Sequence, residues 1–176
     1  MARFFVYGLR LQPRRRCRHQ SSRYRHRRAG GRLYAEQILI VDGVVVVRWL
    51  TMSVAGIGRV GAAMNAAAAD KPMVYVGLVD NRFELPRADE RLMLSDAIMG
   101  LRSRCSSMNL AFDGTGLKFV AVRTAAAAMF LLKGDRGMKM YNSLGEALDE
   151  RVPVNAALVL QRAREEGLMT PATLSA

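Results

Sequence analysis

The stretch QILIVDGVVVVRWL, residues 37–50, decides how the rest of the chain is read. Two β-rich runs, Gln37–Val41 and Val44–Leu50, flank Asp42-Gly43. An Asp-Gly pair tolerates the positive φ angles that a two-residue antiparallel connection requires. A β-hairpin is therefore expected here, ahead of everything else in the body of the protein.

Beyond it, Arg59–Asp70 is alanine-rich and reads as a helix ended by Lys71-Pro72. Met73–Val79 is a nearly continuous apolar run, as expected of a strand covered on both faces. Leu85-Pro86 breaks the chain, and Ala88–Arg104 reads as a helix. Leu92, Met93, Ile98 and Leu101 form its inner face, with Arg91, Asp96 and Arg102 outward. Met108–Phe112 is a further strand and Asp113–Gly116 a turn. Leu117–Leu132 reads as a buried helix closing at Gly134; the alternative is a hairpin with Leu117–Val122 as its return strand. Met138–Tyr141 is a short strand. Ser143 and Glu146 form a capping box for a helix reaching Glu150, and Pro153–Gly167 is the last helix. A hairpin followed by alternating helices and strands means α/β: a mixed, mostly parallel sheet with an N-terminal hairpin and helices covering it.

Charge divides the chain differently. Of 27 Lys+Arg, eleven arginines fall in the first 32 residues, which hold no acid. The remaining 16 face all 15 acids, leaving that part at net +1, and both histidines, His19 and His26, lie in the arm. The expected organisation is an Arg-rich disordered arm over 1–33, one domain over 34–167 and a loose tail over 168–176. Three readings of the arm stand. Arg14, Arg15, Arg16, Arg18, Arg23, Arg25, Arg27 and Arg28 would neutralise nucleic-acid phosphates, with Tyr24 and the histidines stacking. Arg-rich and acid-free also describes a mitochondrial presequence. The third reading is an over-extended start that is not part of the working protein.

The body excludes several activities. Without a histidine of its own it builds neither a Ser-His-Asp nor a Cys-His centre unless the arm reaches back to supply one. No Walker A loop is present, and Cys17 and Cys105 form neither a zinc spacing nor a disulfide framework. The adjacent acids Asp89-Glu90, Asp149-Glu150 and Glu165-Glu166 would point about 100° apart on helices, as solvated faces do. Cys105 is expected as a small buried hydrophobe in a reducing, cytoplasmic setting. No catalytic residue, metal or cofactor is expected, and no membrane span, since the apolar runs are too short.

Two glycine-bearing strings remain. Gly56, Gly58 and Gly61 spell G-x-G-x-x-G, with Asp80 placed 19 residues past Gly61. This resembles the nicotinamide-dinucleotide fingerprint, in which glycines admit a pyrophosphate and the acid holds a ribose hydroxyl. The same glycines also suit a turn plus a small-residue helix face packed on a sheet. The second string is Asp113-Gly114-Thr115-Gly116-Leu117, expected between a strand and a helix. Its plain reading has Asp113 ending the strand and Thr115 capping the helix.

That second string resembles the STAS superfamily, the sulphate transporter and anti-sigma antagonist domains, including its looser anti-anti-sigma-like group. Those domains carry Asp-Ser-Ser-Gly-Leu or Asp-x-Thr-Gly-Leu at such a junction. The close from Met138 to Leu148, a strand and then Ser-x-x-Glu-Ala-Leu, is similar to the looser group too, so the resemblance spans about residues 35–151. The chain departs from the family in an extra strand and helix over 73–104 and in Gly114 at the first serine. The resemblance implies a bacterial, non-catalytic regulator that binds a protein partner through Asp113, Gly114, Thr115 and Gly116, with Thr115 as the residue a kinase modifies. A phosphate there would meet free N–H groups and the positive end of a helix dipole. The alternatives are a nucleotide at Gly56–Gly61 with Asp80, and nucleic acid on the arm.

Overall fold

A computed structural model describes residues 35–67, 71–114, 116–132, 138–149 and 155–169. The hairpin forms as expected: β1 (Glu36–Val41) pairs antiparallel with β2 (Val44–Thr51) through Asp42 and Gly43, both at positive φ. Then follow α1 (Val54–Ala67), β3 (Met73–Glu84), α2 (Glu90–Arg102) and β4 (Cys105–Asp113). The chain continues through α3 (Leu117–Leu132), β5 (Lys139–Tyr141), α4 (Leu144–Asp149) and α5 (Ala156–Glu165). The sheet order is β1-β2-β3-β4-β5, with every pairing after the hairpin parallel. This is the mixed, mostly parallel α/β architecture expected from the pattern.

Alternation along the strands builds two cores. Val45, Val47 and Trp49 of β2, with Tyr75 and Val79 of β3 and Phe112 of β4, face α1, α2 and α3. Val44 and Val46, with Val76, Leu78 and Ala111, face α4 and α5. The three helices that link successive parallel strands thus lie on one side of the sheet. That follows from right-handed crossovers that always step to the same neighbour. The order of the described strands never reverses, so they form no switch point of the kind where open α/β sheets open a crevice for ligands.

Several local expectations are corrected. The first helix begins at Val54, not Arg59, because Ser53 caps it: Gly56 N donates to Ser53 Oγ at 3.1 Å. Asp80 does not end its strand. Its Oδ1 accepts from Arg82 N at 2.8 Å in a local kink, after which β3 resumes pairing, Glu84 opposite Thr51. Leu92 and Met93 are exposed, and the buried face of α2 is Leu94, Ser95, Ile98 and Leu101. Arg91 is half-buried rather than outward. Leu117–Val122 is helical, so the alternative hairpin does not form.

The capping box expected at Ser143 forms. Ser143 Oγ accepts from Glu146 N at 3.1 Å, and Glu146 Oε2 reaches back to Asn142 N at 2.8 Å. At the end of α5, Gly167 adopts φ +71 and Leu168 N donates to Ala163 O at 2.8 Å, closing a Schellman turn. Leu168 is consequently buried, so the tail is not loose at its first residue. The last helix is described from Ala156, and Asn155 caps it, its side chain accepting from Leu158 N. The arm, Gly134 and Pro153 lie outside the described residues.

Candidate functional site

The carboxyl ends of β2, β3 and β4 gather most of the polar residues singled out above, and each has a physical occupation. Asp80 is buried on the α4–α5 side of the sheet. It accepts from Arg48 Nε at 2.9 Å, from Arg48 Nη2, and from Arg82 Nη2 at 3.3 Å. Arg48, equally buried, donates from Nη1 to Gln37 Oε1 at 3.3 Å and to Gly167 O at 3.1 Å. One carboxylate and one guanidinium therefore tie three strands to the C-terminal turn of α5. Asp80 is committed to that clamp, which leaves little of it for a ribose hydroxyl. Sequence reasoning missed Arg48. The signal was present: a single charge within VVVVRWL has to be paired if that strand is covered on both faces.

The G-x-G-x-x-G string lies inside α1, past its cap, and does not form a loop before a helix. A Cβ at Gly56 would stand 3.0 Å from the Trp49 ring and 3.2 Å from Glu36 Oε2. At Gly61 it would stand 3.3 Å from Arg104 Nη1 and 3.8 Å from Leu101. These glycines let α1 approach the sheet and α2 closely. Gly58 faces open space, and its place in the string carries no contact. Beside them the buried Glu36 carboxylate pairs two-pronged with Arg59, Nη2 to Oε2 at 3.0 Å.

Asp113 and Gly114 stand at the β4–α3 junction expected for them, with Asp113 in register beside Asp80. Thr115 lies outside the described residues. Phe119 packs so tightly over Gly114 that a Cβ there would fall 2.3 Å from its ring. That contact leaves room only for glycine at position 114. Gly116 has φ +103 and its carbonyl accepts from Phe119 N at 3.0 Å, so it occupies the cap position of α3. Lys118 Nζ donates to Asn81 O at 2.8 Å, fixing the first turn of α3 to β3. Two apolar residues of that helix start are left in solvent: Leu117 at 88% and Val120 at 60% exposure.

Two further groups are raised by burial. Burial pushes the Tyr75 hydroxyl well above the usual phenol range, opposed by the hydrogen bond from Trp49 Nε1 at 2.8 Å. Burial likewise raises the Cys105 thiol to about 11, the Arg102 charge pulling weakly the other way. The thiol is buried and donates to Leu101 O at 3.3 Å, as a structural cysteine does. Among the described residues no three His, Cys, Asp or Glu side chains come together to hold a metal ion. Among the same residues no helix is long and apolar enough to cross a membrane.

Comparison with protein-family models, with curated proteins and with solved structures finds no match.

Proposed function

We propose that this chain is a non-catalytic, STAS-like regulatory domain that binds a protein partner at the β4–α3 junction. The observation that carries the reading is the pair Leu117 and Val120, large apolar residues held in solvent at the start of a helix capped by Gly116. Exposed apolar side chains beside a polar turn are what a recognition patch offers. The hairpin-led sheet and the Asp113–Leu117 string at a strand-to-helix junction support the family resemblance. The buried thiol of Cys105 suits a reducing, cytoplasmic setting. Phosphorylation of Thr115 would add about two negative charges next to Asp113 and beside this patch, and so weaken docking.

The test is the native mass of complexes carrying the full chain in the cells that make it. Leu117→Lys with Val120→Lys should release the chain from its assembly while its unfolding free energy stays within about 0.5 kcal/mol of wild type, as for surface changes generally. Thr115→Glu should do the same and Thr115→Ala should not. An assembly indifferent to all of these changes would refute the reading. The nucleotide alternative has no such support, since its glycines are helical and its acid is paired.

A further inference from the structure

Leu92 and Met93 of α2 stand in solvent at 72% and 60% exposure, as Leu117 and Val120 of α3 do. Among the described residues the only other large apolar side chains so exposed are Val54 and Leu85, and Leu85 lies on the connection into α2. α2 and α3 pack side by side on the same face of the sheet. Both start beyond the carboxyl ends of the parallel strands that feed them, β3 and β4. Most of the exposed apolar residues are therefore gathered at the same end of two neighbouring helices. Single residues of this kind scattered over a surface need no explanation, but a gathered set marks a binding surface.

The two halves of that surface carry opposite charge. On α2, Asp89 lies one turn before Leu92 and Met93 on the same exposed ridge, and Asp96, which has a partner of its own, follows one turn after. Asp89 stands at the cap position, yet its carboxylate accepts no capping bond. Exposed Glu90 and Arg87 beside it cancel, and Arg91 is half-buried with its Nε on Pro86 O at 3.2 Å. α3 contains no acid at all. Lys118, in its first turn, and Arg82, with its side chain 60% exposed, are the cations beside Leu117 and Val120. Lys118 Nζ is held on Asn81 O at 2.8 Å, next in the chain to Arg82. Asp113, just before this helix, is half-buried and engaged. A cation in a first turn meets the positive end of the helix dipole, so an anion brought to it from outside relieves both charges.

A surface with apolar residues on both halves, acidic on one and basic on the other, complements itself under a two-fold rotation. We propose that this chain dimerises through it. The start of α2 in one copy covers the start of α3 in the other, and the reverse. Leu92 and Met93 meet Leu117 and Val120, and Asp89 lies opposite Lys118, each contact occurring twice. The dimer rests on the docking reading for its α3 half, where it names the partner as a second copy; the α2 half is separate from that reading.

Sedimentation velocity of the full chain, purified free of nucleic acid, should show a dimer in the micromolar range, weakened by salt because exposed charge pairs are screened. Leu92→Lys with Met93→Lys should give a monomer. Asp89→Lys and Lys118→Glu should each raise the dissociation constant about tenfold, since each sets like charges together twice. Both changes in one chain should bring it back to within about threefold of wild type. A monomer throughout the micromolar range would overturn the proposal. So would a dimer indifferent to Leu92 and Met93, a doubly reversed chain that does not recover, or species that grow beyond two copies. If the purified chain is monomeric while Leu117→Lys with Val120→Lys still releases it from cellular complexes, the dimer is wrong and the docking surface stands. If neither the dimer nor those complexes respond to that pair, both are wrong.

Discussion

The strings Gly56–Gly61 and Asp113–Gly116 are both built around glycine and fold into different structures. The first lies within a helix, because Ser53 caps that helix before the first glycine is reached. The second is a true strand-to-helix turn, with Gly116 at positive φ as the cap and Gly114 beneath the Phe119 ring. Glycine spacing alone does not distinguish a loop that can cradle a phosphate from a helix face that packs closely. What distinguishes them is where the helix cap falls, and whether the acid that completes the motif is free.

The largest test of that contrast is Asp80→Ala. If Asp80 is a structural partner, its removal strands the buried Arg48 and loosens Gln37 and Gly167 with it. Denaturant unfolding should show a loss of about 3–5 kcal/mol. A ligand-binding acid would instead be removable at little cost in stability, and a loss under 1 kcal/mol would revive the nucleotide reading.

Next comes pH. Gly61 lets α1 pack against Leu101 of α2, whose carbonyl accepts from Cys105 Sγ. The thiol is raised to about 11 in the folded protein, so the unfolded chain loses this proton first as pH rises. The stabilisation is complete below the usual thiol range, near 8.5, and fades as pH climbs toward 11. Up to about 2–3 kcal/mol should disappear over that window, and Cys105→Ala should flatten this part of the profile.

The glycine substitutions follow, and they carry opposite signs. Gly114→Ala should destabilise by about 1–3 kcal/mol, since Phe119 must be displaced. Gly58→Ala should raise stability by about 0.5–1 kcal/mol, because that position is an open site inside a helix. A phosphate-cradling loop would not gain from alanine there. Denaturant midpoints of the two variants, compared with wild type, separate the cases.

Much of the fold was legible because the decisive signals are local. Asp42-Gly43 between β-branched runs, Ser143 with Glu146, and the apolar run from Met73 each act over a few residues, and the structure follows them. Longer-range effects were not legible. Leu92 and Met93 fit a helical stripe with Ile98 and Leu101, but the sheet meets α2 along Leu94, Ser95, Ile98 and Leu101 instead. Periodicity fixes which residues share a face, not how far that face rotates toward its neighbour. Met73–Val79 gave only part of β3, since the kink held by Asp80 lets polar Asn81 and Arg82 lie within a strand. The polar junction at Asp113–Gly116 could be located from sequence. The exposure of Leu117 and Val120 could not, because a helix apolar on all sides reads as buried everywhere. The small apolar cavity between the sheet and α1–α3 left no mark at all, being a void that six elements leave between them.

Photo-crosslinking weighs the two glycine junctions against each other most directly. A benzophenone amino acid placed at Leu117 in one full-length chain, and at Gly58 in another, samples two solvent-facing positions on the same fold. A discrete protein adduct from position 117, lost with Thr115→Glu, and none from position 58 is the predicted outcome. An adduct from position 58 with none from 117 would place recognition on the first helix and contradict the account.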